Sequence, residues 1–160
     1  MKKNSVLFMT IFATLFFVIA CNEKKEVDSF LATQGYIRAS INSQAVSFGT
    51  IQQKKSNSVL QLSGQDKNGN SIMLVIGNPV NNSDDLFDEK LIGELQVFPI
   101  GLVYQNGRYT ANPNTQELKI TQLDRTKKLL KGTFKFSAPD ANTGKEIVVT
   151  EGSFEINLIN

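Results

Sequence analysis

Two stretches near the C-terminus decide the fold class: Gly132-Thr133-Phe134-Lys135-Phe136 and Gly152-Ser153-Phe154-Glu155-Ile156. Each reads glycine, small hydroxyl residue, phenylalanine, charged residue and apolar residue. Apolar side chains at every second position place one face of a strand against a core. We therefore predict two strands that bury Phe134, Phe136, Phe154, Ile156 and Leu158. The glycine at each strand start predicts a bulge or a close backbone approach.

Other segments of the chain have the same two-residue period. Residues 147–150 predict a third strand, so that the C-terminal region reads as a three-strand meander. Residues 36–41 and 46–48 also alternate, and the polar break at 42–44 between them predicts a hairpin.

Two Asn-Gly pairs, at residues 68–69 and 106–107, predict tight hairpin turns. Both residue types accept the positive φ angles that such turns require. Residues 71–76, between these turns, are almost continuously apolar, which favours a central strand buried on both faces.

The whole pattern predicts a single all-β domain over residues 34–160, with about nine or ten short strands and no long helix. An antiparallel β-sandwich and a barrel-like closed sheet both fit this pattern. Periodicity does not choose between them, because strands alternate in both.

The N-terminus has the layout of an export signal. Lys2 and Lys3 precede an apolar run from Val6 to Ala20, broken by two threonines. A run of about 15 residues is shorter than the roughly 20 needed to span a bilayer. We expect a signal peptide over residues 1–20 rather than a membrane-spanning helix.

Val18-Ile19-Ala20-Cys21 resembles a bacterial lipobox, and Cys21 is the single cysteine of the chain. The resemblance implies a diacylglyceryl group on the Cys21 thiol, cleavage before Cys21 and acyl chains such as palmitate on the new amino group. Two or three chains hold a protein durably at a bilayer. We expect Cys21 to be the lipidation site, and the protein to be held at the outer membrane, on its periplasmic face or at the cell surface.

Residues 21–33 are predicted to form the lipidated cysteine and a solvated tether. Residues 22–29 are charged, mixed in sign and without periodicity.

A further pattern consists of Ala39 to Asn42, Lys119 to Thr121, Asp124, Lys131 to Phe136 and Val149 to Phe154. It resembles a family of small lipoproteins of the Bacteroidota lineage whose domain has no assigned function. The resemblance implies a shared β fold and export. It implies no activity, and no functional residue besides the lipidated Cys21.

The charge balance excludes several function classes. The chain has 17 Lys and Arg, 15 Asp and Glu and no His, for a net charge of +2. Lys2 and Lys3 account for that excess, so the chain from Cys21 onward lacks the net positive charge of a nucleic-acid binder. Without His, neither a Ser-His-Asp or Cys-His triad nor a Cys/His zinc site can form. We predict no cofactor and no metal.

Acidic segments are the candidates for calcium. Residues 81–89 hold four carboxylates, but their spacing does not fit an EF-hand, so we expect a solvated loop. Asp66, Asn68 and Asn70 place oxygen-bearing side chains at alternate positions and are a second candidate calcium site. Asp140 and Asn142 are a third. We expect turns to account for both sets.

Aromatic platforms for sugars are limited to Tyr36, Tyr104 and Tyr109, because the chain has no Trp. Tyr104 and Tyr109 flank the predicted 106–107 turn, which makes them candidates for cross-strand packing.

Three functional hypotheses follow. The first is a non-enzymatic binding or structural domain of the cell envelope, with an envelope protein as partner. The alternative is a carrier of a small hydrophobic ligand, if the strands enclose a barrel cavity. A carboxylate-based hydrolase ranks last, because it needs two acidic side chains about 5–10 Å apart in a cleft.

Overall fold

The computed structural model describes residues 30–56, 59–77, 96–97 and 99–159. These residues form twelve strands in two antiparallel sheets, which confirms the all-β prediction and decides for a sandwich over a closed barrel. The described residues thus form more strands than the nine or ten predicted. The predicted signal peptide, Cys21, residues 22–29 and the acidic segment 81–89 lie outside the described residues.

Sheet A has seven strands, which are β1 (Leu31–Thr33), β4 (Thr50–Ser56), β5 (Val59–Gln65), β6 (Ser71–Gly77), β7 (Gln96–Val97), β8 (Gly101–Tyr104) and β9 (Gly107–Thr110). Their order is β1-β4-β5-β6-β8-β9, with β7 also paired to β6. Sheet B has five strands, which are β2 (Gly35–Ile41), β3 (Gln44–Phe48), β10 (Glu117–Asp124), β11 (Leu129–Pro139) and β12 (Glu146–Asn157). Their order is β10-β11-β12-β2-β3.

The core lies between the inner faces of the two sheets. Alternate residues of nearly every strand point into it, as the two-residue period predicts. Its largest fully buried side chains are Phe48, Phe154, Ile37, Ile41, Leu60, Leu62, Ile72, Leu74, Ile76, Ile100 and Leu130.

The long hairpin of β11 and β12 contains two reciprocal glycine–phenylalanine pairs. Gly132 lies opposite Phe154, and Phe134 lies opposite Gly152. A Cβ atom on Gly132 would lie 2.5 Å from Cε1 of Phe154, and one on Gly152 would lie 2.5 Å from Cδ2 of Phe134. Each ring therefore covers the space above the opposite glycine. The predicted close approach is confirmed, but both glycines lie inside their strands rather than at the strand starts.

A bulge at Glu151 bends β12. Between Thr150 and Ser153, β12 contains one residue more than the neighbouring strand β2 between Ser40 and Arg38. Glu151 has φ 50°, in the left-handed region. The predicted meander of three strands is therefore wrong: residues 147–150 and 152–156 belong to the single strand β12, because a bulge continues the pairing where a turn would reverse it.

Both hairpin turns at the end of β2 and of β8 have two central residues with positive φ. These are Asn42 (48°) and Ser43 (67°), and Gln105 (48°) and Asn106 (66°). The predicted 106–107 turn is thus one residue out of register, because Gly107 already pairs with Tyr104. Tyr109 consequently lies opposite Leu102 rather than Tyr104.

Two further predictions need correction. Strand β6 is central, but Met73 is 42% exposed, so only the face with Ile72, Leu74 and Ile76 is fully buried. The predicted tether reached residue 33, yet Leu31–Thr33 form β1 and pair with β4. Both differences arise because pairing partners, which periodicity does not reveal, decide which segments join the sheet.

Substituting Gly132 or Gly152 with Ala is expected to lower the free energy of unfolding by about 1–3 kcal/mol, because a new Cβ would overlap a packed ring and a backbone carbonyl oxygen. Gly49→Ala is the matched control, since a Cβ there meets nothing within 4 Å. Urea unfolding of the three variants measures the effect. Equal stability of all three would contradict the glycine–phenylalanine packing.

Candidate functional site

An open cleft of about 860 Å³ lies where β3 meets the turns of sheet A. This volume is within the usual range of ligand sites. Neutral amide and hydroxyl side chains dominate its wall, and the lining residues are Gln44–Ser47, Gly49, Thr50, Gln65–Asn70 and Val103–Asn106.

Two hydrogen bonds hold β3 and the residue after it, Gly49, against sheet A. The Tyr104 hydroxyl donates to Oε1 of Gln44 over 2.9 Å, and the backbone N–H of Gly49 donates to the carbonyl oxygen of Gln65 over 3.1 Å. Tyr104 is 6% exposed, so its ring is part of the core and is not available as a sugar platform.

The turn at residues 66–70 is held by Asp66. One oxygen of Asp66 accepts the N–H groups of Asn68 and Asn70, and the other accepts the Asn70 amide over 2.7 Å. Desolvation raises the pKa of Asp66, but these hydrogen bonds outweigh it and leave the pKa below its ordinary value. The expected turn role is confirmed, but the connection spans residues 66–70, and of the predicted Asn-Gly pair only Gly69 has a positive φ, of 82°.

Asn70 joins this turn to the next one. Its side-chain oxygen accepts the backbone N–H of Gln105 over 2.9 Å, and the side chain is buried. The floor of the cleft is therefore built from two turns that are tied to each other.

Strand β3 presents unpaired backbone to this cleft. Ile41 and Gln44 flank the two-residue turn and bond to each other through their backbones. Because hydrogen-bonded pairs alternate with non-hydrogen-bonded pairs along antiparallel strands, the next residues of β3 that bond to β2 are Val46 and Phe48. The N–H and C=O groups of Ala45 and Ser47 point away from β2. Since β3 is the last strand of sheet B, no described strand pairs with that side.

The remaining edges of the described sheets are protected. Strand β10 carries a bulge between Ile120 and Gln122 and charged side chains, and β1 has three residues. Strand β9 is covered by a bridge between Tyr109 and Asp140. Bulges, charges and shortness are the usual means of blocking edge pairing. Strand β3 has five residues, no charge, no proline and continuous register.

Asp140 closes the sandwich beside β9. Its Oδ1 accepts the backbone N–H of Thr143 over 2.7 Å and that of Asn142 over 3.0 Å, and its Oδ2 accepts the N–H of Arg108 over 3.2 Å. The backbone and hydroxyl of Thr143, with these other donors, hold the pKa of Asp140 below its ordinary value. This carboxylate therefore acts as a turn cap, as its spacing with Asn142 predicts.

A second, shallower depression of about 360 Å³ lies on the outer face of sheet B and brings Glu117 and Glu151 together. The Lys135 ammonium, 2.9 Å from Glu117, and Lys119, 3.6 Å away, hold the pKa of Glu117 below its ordinary value. A carboxyl kept ionised in this way is a poor general acid. Sequence reasoning missed this pair, because Glu117 and Glu151 meet only through the pairing of three strands.

The other sequence candidates lie apart from the cleft. Tyr36 packs under the Arg38 guanidinium, whose carbon is 4.4 Å from the ring centroid.

Among the described residues no group of three or more acidic or thiol side chains could hold a metal ion. The described part of the chain also has no helix long and apolar enough to cross a membrane.

No family model matches the chain, and no curated protein or solved structure is significantly similar to it.

Asp140→Asn is expected to lower the melting temperature at pH 7. Because the folded-state pKa of Asp140 lies below the unfolded value of about 3.9, its stabilisation is complete above that value and is lost as the pH falls through the folded pKa. The difference from the wild type is therefore constant between about pH 5 and 7 and shrinks below about pH 4.

Thermal unfolding at a series of pH values checks this expectation. Glu146→Gln, at the first residue of β12, is the control for loss of one negative charge near Asp140. A wild-type–variant difference that persists unchanged to pH 2 would overturn the role assigned to the Asp140 carboxylate.

Proposed function

We propose that the protein is a lipid-anchored envelope lipoprotein that binds an extended segment of another envelope protein along β3, without catalysis. The observation that carries this proposal is the open edge of β3, whose Ala45 and Ser47 backbone groups face a cleft. An added strand pairs with such groups through its main chain, and alternate side chains provide specificity.

The cleft supports this binding mode. It borders the free edge of β3, and its amide and hydroxyl side chains offer both donors and acceptors to a partner's polar groups. The turns at 66–70 and 105–106 are preorganised by Asp66 and Asn70, which lowers the ordering cost of binding.

The lipid anchor is proposed from the sequence. Cys21 follows an apolar signal and a lipobox-like Val18-Ile19-Ala20, and the resemblance to Bacteroidota lipoproteins implies the same modification. Nine residues later the described chain begins at Phe30, immediately before β1. Such a short connection keeps the domain close to its membrane.

Two features support a role without catalysis. Both oxygens of Asp66, the carboxylate of the cleft, accept hydrogen bonds within its own turn. Glu117, beside Glu151 in the other depression, is paired with lysines on an open sheet face. The hydrophobic-carrier alternative required a closed barrel, and the described strands form two separate sheets instead.

Cys21→Ala is expected to abolish lipid attachment and to move the protein from the membrane fraction to the soluble fraction. Metabolic labelling with a palmitate analogue and fractionation of the host measure both effects. Ala20→Ser, which keeps a small residue before the cysteine, is the control and should remain labelled. Unchanged labelling of Cys21→Ala would refute the lipidation site.

A photo-crosslinking amino acid in place of Ala45, introduced in the native host, is expected to capture one protein partner. Ser47→Pro should abolish that adduct, because proline removes an outward-facing N–H of β3 while the Ser47 N–H takes no part in pairing with β2.

Ser47→Ala is the matched control and should retain the adduct, because it keeps the backbone donor. A crosslinker at Lys119, on the opposite edge of sheet B, should not capture the same partner. An adduct that survives Ser47→Pro would show that binding does not use strand addition to β3.

A further inference from the structure

Both Asn-Gly pairs of the chain lie in the turns that border the cleft. Asn68 and Gly69 belong to the turn after β5 and Asn106 belongs to the turn before β9, and all three residues line the cleft. Asparagine is a thermolabile residue, and it loses ammonia most readily before glycine, which has no side chain to shield its backbone nitrogen. The cleft therefore holds the same reactive dipeptide in two structural settings.

The deamidation of such a pair needs no reactant besides water. The glycine backbone nitrogen gives up its proton to hydroxide and attacks Cγ of the asparagine side chain. A succinimide ring closes as the side-chain amide takes a proton from water and leaves as ammonia. Water then opens the ring at either carbonyl carbon, which gives aspartate or isoaspartate. In isoaspartate the main chain runs through the former side chain, so the backbone is one methylene group longer.

The pair at residues 68–69 is open to this reaction. The Gly69 N–H donates to the carbonyl oxygen of Asp66 over 3.3 Å, which is longer than an ordinary N–H···O bond and holds the nitrogen weakly. A Cβ atom on Gly69 would meet nothing within 4 Å, and both residues of the pair are exposed. Asn68 bonds to Asp66 through its backbone N–H, and within the described part of the chain its side-chain amide makes no hydrogen bond. That side chain is therefore free to turn toward the Gly69 nitrogen.

The pair at residues 106–107 is closed by its hairpin. Gly107 pairs with Tyr104 across the two-residue turn, so its N–H is bonded within the ladder of β8 and β9. Gly107 is also tightly packed, because a Cβ atom there would lie 2.5 Å from the Tyr109 hydroxyl oxygen and 2.6 Å from Oδ2 of Asp140. Ring closure at Asn106 would have to break this pairing and displace Gly107 from its contacts.

We propose that Asn68 is a site of spontaneous deamidation in the folded protein, that Asn106 is protected from it, and that the modification loosens the floor of the cleft. Asp66 accepts the backbone N–H groups of Asn68 and Asn70, and the Asn70 side chain accepts that of Gln105. A longer backbone within the turn changes the spacing of these bonds. The reaction also adds a carboxylate to a turn already built around one, and like charges repel.

This modification does not depend on the partner proposed along β3, whereas its effect on binding there rests on that proposed function. A deamidated turn no longer offers the preorganised wall that lowers the ordering cost of binding. The reaction is irreversible, so the fraction of modified protein increases with the age of the molecule.

Peptide mapping of the mature protein after incubation in a warm, mildly alkaline buffer tests the modification. Trypsin cuts after Lys67, Lys90 and Arg108, so the two pairs fall in separate peptides, and fragment spectra assign the change to a residue. In the folded protein, aspartate and isoaspartate should accumulate at residue 68 while residue 106 remains asparagine. In guanidinium chloride both residues should convert at similar rates, because only the folded structure distinguishes the two pairs.

Asn68→Gln is the matched variant, because glutamine keeps the amide but its longer side chain cannot form the five-membered ring. Residue 68 of this variant should stay unmodified through the same incubation.

Hydrogen exchange tests the effect on the cleft. The acidic form of the wild type, isolated by ion exchange, should exchange the Gln105 N–H faster than the fresh protein, because the Asn70 side chain that accepts it moves with the turn. Exchange at Leu74, in the core of the central strand β6, should be unchanged.

Equal conversion of residues 68 and 106 in the folded protein would overturn the proposed site. So would the absence of conversion at 68 under conditions that convert the unfolded chain. An acidic form that is modified at 68 but exchanges the Gln105 N–H like the fresh protein would overturn the loosening of the cleft. These measurements involve neither a lipid nor a partner, so their failure is distinct from failure of the proposed function.

Discussion

The β11–β12 hairpin is the constraint on which the rest of the sandwich depends. Its two reciprocal glycine–phenylalanine pairs allow the Phe134 and Phe154 rings to lie over the opposite strand and still fill the core. A larger residue at either glycine would force the rings off the sheet. The hairpin is also the longest pairing in the structure, so its register sets the position of every other strand of sheet B.

The bulge at Glu151 determines where β3 lies relative to the β11–β12 hairpin. Beyond the bulge, β12 pairs with β2 at Val149 and Ile41, and the turn at Asn42 and Ser43 then returns the chain as β3. Gly49 carries the chain directly from β3 into β4 of the other sheet. The edge that borders the cleft is therefore a consequence of how the hairpin and its bulge are built.

Polar but uncharged groups dominate the end of the sandwich that holds the cleft. Neutral amide and hydroxyl side chains line most of the cleft wall, and the carboxylates of Asp66 and Asp140 accept hydrogen bonds within their own turns. The partner site proposed along β3 therefore depends on backbone groups and neutral side chains more than on charge.

Local features of the sequence predicted much of this protein. Alternating apolar residues predicted the strands and their buried faces, because a side-chain period of two follows from strand geometry alone. The turn roles of Asp66 and Asp140 were also predictable, since Asp and Asn bind nearby backbone N–H groups. The lipobox-like segment carried the prediction for Cys21, which lies outside the described residues.

The tertiary structure alone decided which edge is open and which residues meet across strands. Periodicity identifies the face of a strand but not its neighbours, so β3 could not be distinguished from a central strand, and Met73 was wrongly expected to be buried. The turn at Gln105 and Asn106 differs by one residue from the Asn-Gly signal because pairing across β8 and β9 sets the register. Glu117 and Glu151 line one depression only through the pairing of β10, β11 and β12, in which packing of the whole sandwich outweighs local preference.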